Sequence, residues 1–170
     1  MSVGASARFF GSFTNKIDAK GRLATPAAFR RVLDLDRDNR IYCIPSTEYS
    51  CLECGGTDYV DNLLAMIEAL DPYSPERLGL ETTIATQLTP LSVDKEGRIV
   101  LPDEMRAFAG LEDRALFAGA IRSFQIWAPA AFKTHLAHAR ETAGNHKLSL
   151  RNPPSIGSQS NGSAEGSNRS

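Results

Sequence analysis

The chain has 170 residues, of which 42% are hydrophobic, and its formal net charge is −1 at pH 7. This length can form one medium domain or two small domains with a buried core. No stretch approaches the roughly 20 apolar residues of a membrane-spanning helix, and the N-terminus MSVGASARFF lacks the apolar run of about 7–15 residues found in a secretory signal. We therefore expect a cytoplasmic protein without a membrane partner.

The small net charge hides an uneven distribution. Residues 1–31 contain six basic residues and one acidic residue, a balance of +5. Residues 51–110 contain four basic and eleven acidic residues, a balance of −7. The first segment could attract a polyanion such as nucleic acid. Charge counting alone favours the alternative that basic and acidic faces only solvate the fold.

The first predicted strand lies in RFFGSFTNKI, which is rich in aromatic and β-branched residues. The DAKGR that follows predicts a tight turn, because Gly21 suits a backbone with positive φ and Asp18 can accept hydrogen bonds from the turn's amides. LAT is a short apolar stretch, and PAAFRRVL has helical spacing with Pro26 at the favoured first helical position. RIYCIP and YSCLE then predict a hairpin.

A helical segment is predicted next. DYVDNLLAMIEAL has the apolar spacing of an amphipathic helix, DPYSP breaks it, and PERLGLETTIAT predicts a second helix. Both helices lie in the acidic middle of the chain. We expect them to form a connector between two larger parts.

The first series of predicted elements, from strand to hairpin, is repeated 76 residues further on. VDKEGR at 93–98 repeats IDAKGR at 17–22, and the later elements QLTPLSV, PDEMRAFA, ALFAG and SFQIW repeat the same order of strand, turn, strand, helix and hairpin. Two copies of this unit argue against a solenoid and for a pseudo-symmetric pair that shares a core. The equivalent residues include Asp18 and Asp94, Gly21 and Gly97, Arg22 and Arg98, Pro26 and Pro102, and Arg30 and Arg106.

The end of the chain changes in composition. APAAFKTHLAHAR predicts a last helix. Residues 146–170 consist largely of Ser, Gly, Asn and Pro, which bury too little apolar surface to offset the entropy of ordering. We predict that this tail is disordered.

The repeated turn favours structure or binding over catalysis. Asp18 and Asp94 could form a carboxylate pair for acid–base chemistry, but each is followed four residues later by an arginine. A carboxylate that accepts backbone hydrogen bonds and pairs with a guanidinium is held ionised, which does not suit proton transfer. Arg22 and Arg98 can each pair with the aspartate of their own turn, contact a phosphate or base, or do both. We expect no enzyme activity and no cofactor.

The segments GSFTNKIDAKGRLATPAAFR and LTPLSVDKEGRIVLPDEMRAFAGL, with a trailing FQIW, resemble the two halves of the MraZ family of bacterial transcriptional regulators. The resemblance covers roughly residues 8–135. It implies an α+β fold, a pseudo-two-fold β-barrel of two swapped-hairpin (SpoVT-AbrB-like) units with short helices. The predicted organisation is a first AbrB-like unit at 1–54, a helical connector at 55–87, a second AbrB-like unit with a C-terminal helix at 88–145 and the tail at 146–170.

The resemblance also implies a function. Members of this family are cytoplasmic, nucleoid-associated DNA-binding proteins that form rings. They recognise short direct repeats in double-stranded promoter DNA upstream of the division and cell-wall gene cluster and usually repress it, including their own gene. The expected partners are therefore DNA and further copies of the chain, with no small-molecule substrate. A head-to-tail ring presents its subunits in one orientation, which suits direct repeats.

The predicted DNA-binding residues combine phosphate contacts by lysine and arginine with base reading by arginine. The resemblance carries over the motif residues, and basic and polar residues near the first strand are added because they alternate as in a β-type reader. Lys95 and Glu96 depart from the pattern of the first motif, in which Lys20 stands at the position of Glu96, so we expect Arg22 to matter more for DNA than Arg98. The DNA-binding set is Arg8, Thr14, Asn15, Lys16, Lys20, Arg22 and Arg98, and the structural motif set is Asp18, Gly21, Asp94 and Gly97.

Two alternatives stay open at this point. Cys51-x-x-Cys54 has zinc-like spacing, and His135 and His138 lie three residues apart on a predicted helix, but they follow about 80 residues later, which is unlike a zinc finger. We therefore expect no metal site. An AbrB-like antitoxin would share the fold, although the tail lacks apolar residues with which to hold a toxin.

Overall fold

The computed structural model describes residues 8–33, 35 and 37–146. The chain divides into two compact units after His135. The first unit contains both sheets and both repeated turns, and the second contributes residues 136–146 to the description. The tail predicted at 146–170 lies outside the described residues except for His146.

The protein has a mixed α+β architecture, as expected. No helix among the described residues is both long and apolar enough to cross a membrane. The elements in chain order are β1 (Ser12–Lys16), β2 (Arg22–Ala24), α1 (Ala27–Val32), β3 (Arg40–Pro45), β4 (Leu52–Gly55), α2 (Thr57–Glu68), α3 (Pro75–Gln87), β5 (Thr89–Ser92), β6 (Arg98–Val100), α4 (Asp103–Phe108), β7 (Arg114–Gly119), β8 (Phe124–Trp127) and α5 (Pro129–Asn145).

Six strands form one antiparallel sheet in the order β1-β7-β8-β4-β3-β5. The predicted hairpins β3–β4 and β7–β8 are confirmed. The strand that opens each repeat pairs with the hairpin of the other repeat, β1 with β7 and β5 with β3. The two repeats therefore build one sheet together.

The short strands β2 and β6 pair with each other and form a separate two-stranded ribbon. Leu23 lies opposite Ile99, and both side chains are fully buried in the main core. Because side chains alternate between the faces of a strand, the flanking residues of both strands point outward. Apolar residues at the centre of two three-residue strands thus fix the ribbon to the core and leave its outer face free.

Phe29 of α1 lies at the centre of the shared core, with 0% of its surface exposed. Its ring packs edge-on against Phe9 and Phe13, with centroids 5.3 and 5.5 Å away, and it also contacts Phe117 and Phe124 of the second repeat. Aromatic groups in this arrangement contribute large buried areas and favourable ring–ring geometry. The first helix is therefore held mainly by packing between the repeats.

One predicted detail of the helices is wrong. Pro26 and Pro102 are N-cap residues, one position before the first helical residue of α1 and α4. Their ψ angles of 136° and 144° are extended, because each proline continues from the ribbon strand into the helix. The fixed φ of proline fits this junction as well as it fits the first helical turn.

Candidate nucleic-acid interface

The first motif turn is closed by hydrogen bonds to Asp18. The Gly21 amide donates to the Asp18 carbonyl at 3.0 Å, and Gly21 has a φ of 77°. Asp18 Oδ1 accepts from the amides of Lys20 and Arg22, both at 2.9 Å, and Oδ2 accepts from Arg22 Nε at 2.5 Å. The backbone hydrogen bond from Arg22, followed by its side-chain bond, lowers the pKa of Asp18.

The second motif turn has the same geometry. Asp94 Oδ1 accepts from the amides of Glu96 and Arg98 at 3.0 and 2.8 Å, and Oδ2 accepts from Arg98 Nε at 2.9 Å. The Arg98 backbone bond is the main cause of a lowered Asp94 pKa. Both aspartates are held ionised by their own turns, which supports their predicted structural role. Gly97, with a φ of 79°, occupies the position of Gly21.

The ribbon presents both motif arginines on one face. Arg22 is paired with Val100 and Ala24 with Arg98, so these four residues lie on the face opposite the buried Leu23–Ile99 pair. The Arg22 and Arg98 side chains are 37% and 34% exposed. The pKa of Arg98 is raised first by its hydrogen bond with Asp94, and Asp18 of the other turn also contributes. The two turns are therefore close enough to interact electrostatically. We call the face of the ribbon that carries Arg22, Ala24, Arg98 and Val100 the ribbon face.

The two arginines differ in their acidic surroundings. Arg98 Nη2 lies 3.5 Å from Glu96 Oε2, in addition to the pair with Asp94. Lys20, which is exposed in the first turn, stands at the position that Glu96 occupies in the second. An approaching phosphate would meet a lysine beside Arg22 and a carboxylate beside Arg98.

The structure does not bring four of the predicted DNA-binding residues onto the ribbon face: Arg8, Thr14, Asn15 and Lys16. Asn15 Nδ2 donates to the Ala24 carbonyl at 2.7 Å, so its side chain joins β1 to the ribbon. Thr14 and Lys16 alternate with Phe13 and Asn15 along β1, and Phe13 contacts the core through Phe29. Thr14 and Lys16 therefore leave the sheet on the opposite face.

Arg8 lies elsewhere again. It lines a cavity of about 590 Å³ beside the N-terminus of α2. Arginines and aspartates both line this cavity, so it has no single sign of charge. The charged lining residues are Arg8, Arg37, Arg40, Asp38, Asp58, Asp61 and Arg122.

Two arginines without a predicted role reach the motif turns. Arg30 of α1 donates from Nη1 to the Glu96 carbonyl at 3.1 Å in the second turn. Its repeat equivalent, Arg106 of α4, places Nη1 beside Gly21 of the first turn. The spacing of 76 residues identifies the two arginines as equivalent in the sequence. This equivalence alone does not reveal which motif turn each arginine contacts.

The cysteines are buried and do not assemble a metal site. Cys43 and Cys54 face each other across β3 and β4 with their sulfur atoms 2.8 Å apart, and Cys51 belongs to a separate cluster. His135 stacks on Trp127 at a centroid distance of 4.5 Å. Among the described residues, no group of three or more histidine, cysteine or acidic side chains could hold a metal ion.

We expect these thiols to resist alkylation in the folded protein. Burial raises the pKa of Cys51 to about 12, and burial first and Cys43 second raise the pKa of Cys54 well above its ordinary value. The reactive thiolates of Cys51 and Cys54 are therefore scarce at pH 8, and Cys43 is fully buried. Mass spectrometry after brief iodoacetamide treatment should find no modified cysteine in the native protein and three after unfolding in denaturant. Rapid modification of native Cys51 or Cys54 would contradict this arrangement.

The structure is thus a duplicated α+β domain with two arginine-bearing turns on one β-ribbon. Comparison with known proteins then gives the family. A family profile described as "MraZ protein, putative antitoxin-like" matches residues 84–152. The "Transcriptional regulator MraZ" of Rickettsia bellii (strain OSU 85-389) is 44% identical over 138 residues, which cover 81% of this chain and 92% of that protein.

Two further relatives carry the same name. The protein of Rickettsia rickettsii (strain Sheila Smith) is 40% identical and that of Rickettsia akari (strain Hartford) is 38% identical, each over 144 residues, which cover 85% of this chain and 97% of the relative. Identity at this level over most of both chains shows common descent. The chain belongs to the MraZ family of transcriptional regulators.

Proposed function

We propose that this protein regulates transcription by binding double-stranded DNA in a sequence-specific manner with its ribbon face. The observation that carries the proposal is the placement of Arg22 and Arg98 on one exposed face of the β2–β6 ribbon. Each Nε is held by an aspartate, which orients the guanidinium toward a phosphate or a guanine. In Arg98 one outer nitrogen, Nη2, also lies 3.5 Å from Glu96 Oε2. Arginines oriented in this way are suited to read bases, because less side-chain entropy is lost on binding.

The proposed fold and genetic role follow from the family. The exchange of β1 and β5 between the repeats supports two AbrB-like swapped-hairpin units, at 1–54 and 88–145, that form a pseudo-two-fold barrel and are joined by a helical connector at 55–87. In the cytoplasm, the protein would bind short direct repeats in the promoter of the division and cell-wall gene cluster and repress it together with its own gene. No cofactor or small-molecule substrate is needed for this activity.

Binding selection with purified protein tests the function directly. A pool of random double-stranded DNA should yield an enriched short motif, and probes that carry it in direct repeat should bind at least tenfold more tightly than scrambled probes of equal length, about 1.4 kcal/mol. The scrambled probes control for the non-specific attraction of any basic face. A protein that retains its fold but enriches no motif would refute the proposal.

We expect Glu96→Lys to strengthen DNA binding. This change gives the second turn the lysine that the first turn has at Lys20, and it removes the carboxylate 3.5 Å from Arg98. Each additional phosphate contact should steepen the slope of log K against log salt by about 0.9. Fluorescence anisotropy across a salt series measures both effects. Glu48→Lys, an exposed site outside the ribbon, makes the same charge change. An equal gain in both variants would show a general charge effect instead.

Self-association is the second part of the proposal. Helix α3 has no buried residue, and α2 buries only Ile67. The two helices and the loop between them expose large apolar side chains, and residues 57–87 carry six acidic residues and one basic residue. An apolar surface of this extent on a single chain is typical of an interface. The exposed apolar residues are Leu64, Met66, Leu70, Tyr73, Leu78 and Leu80.

We expect a closed homo-oligomer larger than a dimer, because a head-to-tail contact between different faces closes into a ring. Light scattering coupled to gel filtration at micromolar concentration should return at least three chain masses. Tyr73→Ser combined with Leu78→Glu should lower that mass without unfolding the chain, because Tyr73 and Leu78 are 91% and 55% exposed. Glu76→Gln on the same helix serves as the control. A monomeric parent protein would refute the ring.

A further inference from the structure

The space above Gly97 in the second motif turn is filled by an arginine of the first repeat. A Cβ atom on Gly97 would overlap Arg30 Nη1 and lie 2.6 Å from Arg30 Cζ. The guanidinium also donates from Nη1 to the carbonyl of Glu96 at 3.1 Å. Gly97 therefore meets two requirements, a φ of 79° and room for the guanidinium of Arg30.

Backbone hydrogen bonds tie the same places together. The Thr25 amide, at the end of β2, donates to the Gly97 carbonyl at 2.9 Å. The equivalent bond 76 residues further on runs from the Leu101 amide to the Gly21 carbonyl at 3.1 Å. Each repeat therefore holds the motif turn of the other repeat, and the arginines extend this exchange to side chains.

The counterpart contact at the first turn is looser. Arg106 Nη1 would lie 3.6 Å from a Cβ atom on Gly21, which is an ordinary van der Waals distance. Arg106 Nη1 lies 3.7 Å from an oxygen of Asp103, and Nη2 lies 3.5 Å from the carbonyl of Glu112. Its guanidinium is thus shared with its own helix and the loop that follows. Asn39 of the first repeat donates from Nδ2 to the carbonyl of Val93, at the start of the second motif, at 2.6 Å. Arg30 donates further along, inside the turn itself.

We propose that Arg30 is a positioning residue for DNA binding, whose guanidinium fixes the second motif turn so that Arg98 is presented on the ribbon face. This inference rests on the proposed function. Arg30 acts on the turn through Glu96 and Gly97 and makes no DNA contact of its own. It couples the two repeats, because Arg30 in α1 of the first repeat sets the conformation of the second motif turn.

DNA binding distinguishes positioning from direct contact. Arg30→Ala should weaken binding to the selected DNA about tenfold, while the slope of log K against log salt stays that of the parent. Arg31→Ala removes the same charge from the next, exposed position of α1 and should bind within about twofold of the parent. A slope that flattens by about 0.9 in Arg30→Ala would show a lost phosphate contact and overturn the proposal. Equal affinities of the two variants would also overturn it.

A double-mutant cycle tests the packing without DNA. Gly97→Ala should lower the thermal midpoint through strain at positive φ and through displacement of Arg30, so its effect should be about 2–4 °C smaller in the Arg30→Ala background. Gly21→Ala and Arg106→Ala form the matched cycle and should add independently. Additive changes in the thermal midpoint in the Arg30–Gly97 cycle would refute the packing of Arg30 against Gly97. If the parent protein binds no DNA, the proposed function fails, but this cycle still tests the contact.

Discussion

Replacing Arg22 with alanine is expected to abolish most sequence-specific DNA binding. The Arg22 guanidinium is oriented by Asp18, is partly exposed, and has Lys20 in the same turn. A lost base contact should cost about 1–3 kcal/mol at each site and relax the sequence preference. A lost phosphate contact should instead flatten the slope of log K against log salt by about 0.9 per engaged subunit. Affinity measured across a salt series separates the two.

Arg98→Ala is the matched variant in the second repeat. Arg98 has the same place on the ribbon face, but its guanidinium is shared between Asp94 and Glu96. We expect its loss to lower the thermal midpoint, because Asp94 is left without its partner, and to weaken DNA binding less than Arg22→Ala does. If Arg98→Ala loses binding as severely as Arg22→Ala and melts like the parent, the two turns contribute equally to DNA recognition and the proposed asymmetry is wrong.

Phe29→Ala is expected to destabilise the fold more than any surface substitution. Phe29 is 0% exposed and contacts aromatic rings from both repeats, so its removal leaves a cavity where the repeats meet. Substitutions of this kind cost about 3–5 kcal/mol in the free energy of unfolding. Urea denaturation should measure this loss as a lower midpoint with an unchanged slope.

Phe108→Ala is the control for this substitution. Phe108 lies on α4, the equivalent helix of the second repeat, but it is 44% exposed. We expect a cost of about 0.5 kcal/mol there, as for most surface positions. A similar loss in both variants would mean that Phe29 is not the centre of the shared core.

The local structure of this protein could be predicted from its sequence, because it depends on residues close together in the chain. The Asp18-to-Arg22 and Asp94-to-Arg98 turns follow from a glycine at positive φ and an aspartate that bonds the next amides. The hairpins and the helices in the acidic middle follow from short-range patterns of apolar residues and breakers. The repeat of 76 residues likewise indicated two equivalent units.

Which strands pair with one another was decided only in the tertiary structure. The spacing of the repeat does not specify that β1 pairs with β7 or that β2 pairs with β6. Burial decides these pairings, because Leu23 and Ile99 leave water only when the two short strands lie together over the core.

The same reason explains the candidate site. The face on which a side chain emerges depends on register, and a step of one residue along a strand reverses it. Thr14 and Lys16 were predicted to bind DNA from their chemistry. They lie on the face of the sheet opposite the core contact of Phe13, and their role in DNA binding stays a prediction. Arg22 and Arg98 meet on one face, and Arg30 reaches Gly97, because long-range packing brings together residues that are more than 60 positions apart.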